Sequence, residues 1–303
     1  MPNAIPEEQN TEESIDLVAA SSRAYAIGNR FAAAQFWLTL IAAVGGPAMT
    51  YADPALKAWA GLLGAVTLLV DAIFLEPALK RKKELGAKIQ EVFDTQLFRL
   101  PWNTLKVGAK PDRETIGEHA RTYRAKHPMA TWLRDWYPKE VGSLSLETAR
   151  LVCQRSNLRW DSELRRWYAA LLLILLVAMA IGGLIFGLAM RWDADRLVLG
   201  VVVPLLPAAL SLWRLRTKHV EAAVESERCK QHVEQLWANA LKDDVSNKRL
   251  TEEARQLQDE VFDRRKGAPR IPGWVYWPKR ESFEHQMRDA GRAMVAEAQS
   301  RGR

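Results

Sequence analysis

Three long runs without a charged residue limit what this chain can become. Phe31–Ala52 is 22 residues long, Trp167–Met190 is 24 and Leu197–Trp213 is 17. A bilayer's hydrocarbon core is about 30 Å thick and takes roughly 20 apolar residues of helix, with a lower bound near 17. Lipid offers the backbone no hydrogen-bond partner, so such runs must cross as helices. A fourth run, Ala58–Val70, has only 13 uncharged residues, and extending it to Leu75 takes in Asp71. It is read as a span because span one ends in the turn sequence GGPAMTYADPA, and a chain that has crossed must return.

Charge is segregated around these runs. Of 43 Lys and Arg, 2 lie in residues 1–30, 19 in 78–166 and 19 in 214–303; the other three, Lys57, Arg191 and Arg196, sit in or beside short turns. That distribution excludes a simple soluble globule and wholesale disorder. Net charge is +7, but the basic residues are mixed with acidic ones and flank the spans. A positive-inside pattern explains them better than nucleic-acid binding, and no DNA or RNA partner is expected.

The expected fold is all-α: an integral membrane protein with four transmembrane helices in two hairpins, plus a mainly helical cytoplasmic domain. The divisions are a cytoplasmic segment 1–30, hairpin one at 31–77 (spans about 31–52 and 56–76), a soluble part at 78–166, hairpin two at 167–213 (spans about 167–190 and 197–213) and a second soluble part at 214–303. Both termini and the long middle loop fall on the cytoplasmic side. Residues 1–30 have no basic n-region, so no signal peptide is expected. In the soluble parts Ser145 is placed as an N-cap, Pro111-Asp112 opens a helix, Thr251 caps one through Arg265, and Pro278 starts another to about Gln299.

Ala60, Gly64, Thr67 and Asp71 recur at helical spacing on one face of span two, with Gln35 and Thr39 on a similar face of span one. Charged groups within spans usually face a bundle interior or water, so these faces are pore-lining candidates. The plainer reading puts Asp71 near the interface, hydrated or paired with Lys80 or Arg81. Gly183 and Gly187 form a GxxxG in span three, suited to a subunit contact or to packing within one chain. Pro204 and Pro207 in span four permit either a gating hinge or a static kink.

No GxSxG, P-loop, HExxH or Cys/His zinc spacing is present, so neither enzymatic turnover nor a metal or cofactor is expected. The soluble parts are instead rich in Trp, Tyr and Arg. Their most specific strings are FDTQLFRLPWN (93–103), CQRSNLRWD (153–161) followed by Arg165 and Arg166, LQDEVFDRR (257–265) and IPGWVYW (271–277). Together with LRDWYP (133–138), and in this order around two hairpins, they resemble the SMODS-associating four-transmembrane effector family over about residues 15–295.

That resemblance implies an antiphage effector of bacterial CBASS systems. Such an effector would receive a cyclic di- or trinucleotide from a cGAS/DncV-like nucleotidyltransferase and breach the inner membrane through a pore, causing abortive infection. A pore implies a homo-oligomer, with a tetramer as the first expectation, because one four-helix protomer leaves little room for a conduit. A phosphodiester ligand with stackable bases calls for Arg, an aromatic plane and Asn or Asp. Arg155, Asn157, Trp160, Asp161, Arg165 and Arg166 form one candidate set, Trp102 and Asn103 a second, Arg264 and Arg265 a third. The structural alternative makes Trp160 and Trp167 interface anchors and Arg165/Arg166 the basic flank of span three. A membrane-anchored scaffold or enzyme without pore activity is the rival function.

Overall fold

The computed structural model describes residues 3–301, with the side chains of Pro47, Tyr51, Pro204 and Trp277 outside the described set. Among the described residues there are helices and no strands. The α-helices are α1 (Ile5–Glu8), α2 (Glu12–Ala52), α3 (Lys57–Val70), α4 (Glu76–Leu97), α5 (Thr104–Val107), α6 (Arg113–Lys126), α7 (Leu146–Ala189), α8 (Ala194–Leu197), α9 (Val203–Ala240), α10 (Asn247–Gly267) and α11 (Gly273–Ser300). Five-residue π-turns join α3 to α4 (Asp71–Leu75) and α8 to α9 (Val198–Val202).

Polar side chains set the starts of several helices. Asn103 accepts from the Lys106 amide, Asp193 from the Arg196 amide and Ser246 from the Arg249 amide, each supplying a partner that the first helical turn lacks. Ser145 does the same for Thr148 at the head of α7. Two boundaries differ from the sequence expectation. Helix α10 begins at Asn247, capped by Ser246 rather than Thr251, whose hydroxyl bonds back to the Asn247 carbonyl. Helix α11 begins at Gly273 and carries Pro278 inside it. As the sixth residue of the helix, Pro278 lies past the first turn and removes the bond that its N–H would have made to the Trp274 carbonyl.

The chain divides into two compact units. Unit 1 comprises Met1–Ile27, Arg81–Leu164 and Ala222–Arg303; unit 2 comprises Gly28–Lys80 and Arg165–Glu221. Unit 1 has a continuous apolar core that includes Ile5, Val18, Phe93, Phe98, Tyr137, Leu151, Val233, Trp237, Leu257 and Val295. Residues 12–27 join this core as the first part of α2, the same helix that carries span one.

Unit 2 is apolar in the opposite sense. Phe74 and Leu188 are each 65% exposed and Leu199 is 70% exposed, along with Trp37, Ile41, Leu68, Leu69, Ile174 and Ile185. A soluble surface rarely presents so much contiguous apolar area. Three helical stretches, Glu12–Thr50, Pro54–Leu97 and Leu146–Ala189, are long and apolar enough to cross a membrane. A fourth crossing arises if Ala194–Val202 and Leu205–Ala240, which meet at a bend of 52°, form one span.

Within unit 2 each hairpin closes through small residues. A Cβ on Gly45 would lie 3.6 Å from Leu63, and one on Gly46 3.9 Å from Ala60. In the second hairpin a Cβ on Gly183 would come within 2.7 Å of Val201, and one on Gly187 would strike Leu197. The GxxxG face is therefore filled by the returning arm of the same chain. The neighbouring Gly182 faces open space.

Candidate functional site

Unit 1 is built around buried charge. Glu91 and Asp94, one turn apart on α4, are wholly buried. Gln258 on α10 bridges them, its Nε2 donating to Glu91 Oε2 and to Asp94 Oδ2, both at 2.9 Å. Arg255 Nη2 donates to Glu91 Oε1 at 2.6 Å and to Asp259 Oδ1 at 2.8 Å. Arg265 Nη1 donates to Asp94 Oδ2 at 2.6 Å. The Tyr137 hydroxyl donates to Asp94 Oδ1 at 2.6 Å and accepts from Asn157 Nδ2 at 2.8 Å. Asn103 Nδ2 reaches Asp259 Oδ2 at 2.8 Å. One hydrogen-bonded network thus joins α4, the 98–103 loop, the 137 loop, α7 and α10.

Burial and charge oppose each other here. Burial pushes the Glu91 carboxyl up, against the pull of Arg255. Burial pulls the Arg265 guanidinium down, but the charges of Asp94, Tyr137 and Tyr25 and the hydrogen bond to Asp94 together outweigh it, and the net shift is upward. Burial, then the nearby Asp94 charge, pushes the Tyr137 hydroxyl and the Cys153 thiol well above their usual range. Cys153 is therefore an inert core thiol. A buried ion pair of this kind holds a specific geometry, and losing one partner leaves the other charge stranded.

The network takes in Asn103, Asn157 and Arg265 from the three sequence-predicted sets. The other candidates lie apart from it. Trp102 packs on Ala87, Val107 and Phe262, donates to the Gly108 carbonyl at 2.8 Å and carries Lys110 over its ring. Arg155 pairs with Glu234 at 2.8 Å. Trp160 packs on Tyr276 and Phe283 of α11, and Asp161 accepts from Ser226 at 2.7 Å. Arg264 donates to the Glu225 carbonyl and to Cys229 Sγ. Arg165 and Arg166 belong to unit 2, where Arg165 Nη1 lies 3.3 Å from His219 Nδ1 and Arg166 is exposed.

Glu91, Asp94, Tyr137, Arg255 and Gln258 were not among the predicted residues. Asp94 and Gln258 lie inside the quoted strings, as does Tyr137 in LRDWYP. Their signal was the i,i+3 spacing of Glu91 and Asp94 on an otherwise apolar face, together with the i,i+4 pair Arg255 and Asp259.

Unit 1 also has a cavity of about 740 Å3, away from this network. Its walls include Asn3, Asn10, Lys139, Ser143, Arg292 and Gln299. Lys139 pairs with Asp135 at 3.0 Å, and Arg292 with Glu140 and Asp289, each at 3.4 Å. Asn10 ties α1 to Asp135 at 2.9 Å, and Asn3 donates to the Val141 carbonyl at 2.6 Å, so the N-terminal segment forms one wall. None of the predicted ligand residues lines it. Among the described residues, no group of three or more His, Cys, Asp or Glu is arranged to hold a metal ion.

In unit 2, two of the predicted pore residues touch. Gln35 Nε2 donates to Asp71 Oδ1 at 2.6 Å and to Glu76 Oε2 at 3.1 Å. Asp71 thus bonds Gln35 rather than Lys80 or Arg81, and Lys80 pairs with Glu76 at 3.2 Å. Thr67 is buried one turn before Asp71, and Thr39 is exposed. Pro207 lies within α9, just after the bend, and the Pro204 side chain lies outside the described set.

The family described as SMODS-associating 4TM effector domain matches residues 3–294. A protein from Bacillus cereus (strain VD146), described as a probable CBASS effector molecule, is 25% identical over 294 residues, covering 93% of this chain and 95% of that one. No solved structure matches.

Proposed function

The chain belongs to the SMODS-associating 4TM effector family, and on that premise we propose that it is a CBASS antiphage effector gated by a cyclic oligonucleotide. In this reading unit 1 is the cytoplasmic receptor and unit 2 crosses the bacterial inner membrane four times, with both termini inside. Several copies, four in the simplest ring, surround a pore whose opening halts the infected cell. The activity is permeation rather than turnover.

One observation carries the reading. Helix α7 runs unbroken from Leu146 to Ala189. Its first half holds Asn157 in the buried network and Arg155 against Glu234. Its second half is the apolar, outward-facing run from Leu171 to Ala189. The same helix thus contributes residues both to the receptor unit and to the apolar run.

For the ligand, the cavity beside α1 and α11 is the better seat than the buried network, because Glu91 and Asp94 are wholly buried whereas Lys139 and Arg292 keep exposed heads that can turn from their acidic partners to a ligand. Its volume lies within the range of about 300–1,000 Å3 for small-molecule pockets. Lys139 and Arg292 are suited to phosphodiesters, and Asn3, Asn10 and Gln299 to base edges or ribose hydroxyls. Binding shifts the closed–open balance only by the difference in affinity for the two states.

Reconstitution in liposomes with a panel of cyclic di- and trinucleotides tests this. One nucleotide should both stabilise the protein thermally and release a trapped dye. Binding without release would exclude the pore; release by every nucleotide, or by none, would exclude a gated receptor.

A further inference from the structure

We infer that the π-turn Asp71–Leu75, clasped by Gln35, is the moving joint of unit 2, and that its conversion to regular α-helix opens the pore. The inference rests on the pore reading and adds its regulation.

In an α-helix of 3.6 residues per turn, residues five apart point about 140° away from each other. A single amide on a neighbouring helix could not serve both. Here the Glu76 amide donates to the Asp71 carbonyl, the five-residue closure of a π-turn, which brings residues 71 and 76 onto one face. Gln35 Nε2 then bonds both carboxylates, at 2.6 Å and 3.1 Å. The clasp and the turn require each other. Without the turn the two acceptors separate; without Gln35 the two carboxylates face each other at close range and repel.

A π-turn holds one residue more than the α-helical path, and such turns are rare and tend to mark functional sites. Absorbing that residue would rotate α3 against α4 by about 100°, one residue's step. Asp71 would leave Gln35, and the face that carries Gly64 and Thr67 would turn with it. On the other side, α4 continues directly to Glu91 and Asp94 of the buried network. The joint therefore lies within the helix that carries the receptor's acids.

The test uses the full chain in proteoliposomes with the activating nucleotide. Gln35→Leu removes the clasp and Gln35→Glu replaces its donor with a third acceptor; both should leak without nucleotide, at least tenfold above wild type. Deleting Ile73 removes the extra residue and should leave the pore open permanently. Basal leakage equal to wild type in both Gln35 variants, with normal opening by nucleotide, would overturn the inference. Cysteine cross-linking separates the joint from the pore. A Cβ on Gly46 lies 3.9 Å from the Ala60 Cβ, so the pair Gly46→Cys and Ala60→Cys should cross-link, and should do so at least tenfold more slowly when Gln35→Leu lets α3 rotate, whether or not wild-type vesicles leak. An unchanged rate would refute the joint itself, and a wild type that never leaks would refute only the pore.

Discussion

Arg265 Nη1 and Asp94 Oδ2 meet at 2.6 Å across 171 positions of sequence. The contact ties the end of α10 to the last turn of α4, and Asp94 also accepts from Tyr137 and Gln258. Removing one partner of such a buried pair costs about 3–5 kcal/mol. Asp94→Ala should lower unfolding stability by that amount, read by chemical denaturation of the purified full chain in detergent. Arg155→Ala, which breaks a pair with the half-exposed Glu234, should cost about 1 kcal/mol or less.

Alkaline pH should weaken unit 1 through its tyrosines. Burial pushes Tyr276 from 10.0 up to about 12. The folded state then holds its proton after the unfolded chain has begun to lose it, so stability is full below pH 10 and falls as pH rises towards 12. The loss is about 2 kcal/mol for this group, allowing for its partial exposure. Tyr276→Phe should flatten that part of the profile, measured as melting temperature against pH.

Gly183 and Gly182 should behave oppositely although they adjoin. A methyl on Gly183 meets Val201, a side chain stiff at χ1, at 2.7 Å. Gly183→Ala should cost about 1–3 kcal/mol of thermal stability. Gly182→Ala faces open space and should leave the isolated protomer unchanged. If Gly182→Ala alone shifts the oligomer distribution on native gels, span three meets its neighbours through that face.

The ligand seat separates two sets of residues. Lys139→Ala and Arg292→Ala should each weaken nucleotide binding by about 10–100-fold, the worth of one hydrogen bond to a charged group. Arg264→Ala and Trp160→Phe, outside the cavity, should change affinity by less than about threefold, as positions without a direct contact do. Isothermal titration of the detergent-solubilised protein reads both.

The outward-facing helices were legible in the sequence because a bilayer demands length and absence of charge, and Phe31–Ala52 and Trp167–Met190 supply both. The N-cap of α7 at Ser145 was also readable, since a Ser there precedes a stretch that nothing breaks. What the sequence could not convey depends on register and on distant partners. Asp71 reads as one lone carboxylate, and only the π-turn places Glu76 beside it and Gln35 between them. The cavity is assembled from Asn3, Lys139 and Arg292, residues too far apart for any local pattern. The start of α11 was misplaced because Pro278 looks like a first-turn residue, although Pro272 and Gly273 already begin the helix.

The central claim is that a nucleotide acting on unit 1 opens a path through unit 2. Membrane potential, followed with a potential-sensitive dye in cells that make both the protein and the activating nucleotide, tests it most directly. The account predicts depolarisation within minutes that requires both components and is lost in Arg292→Ala. A potential that holds steady while the nucleotide is bound would contradict it.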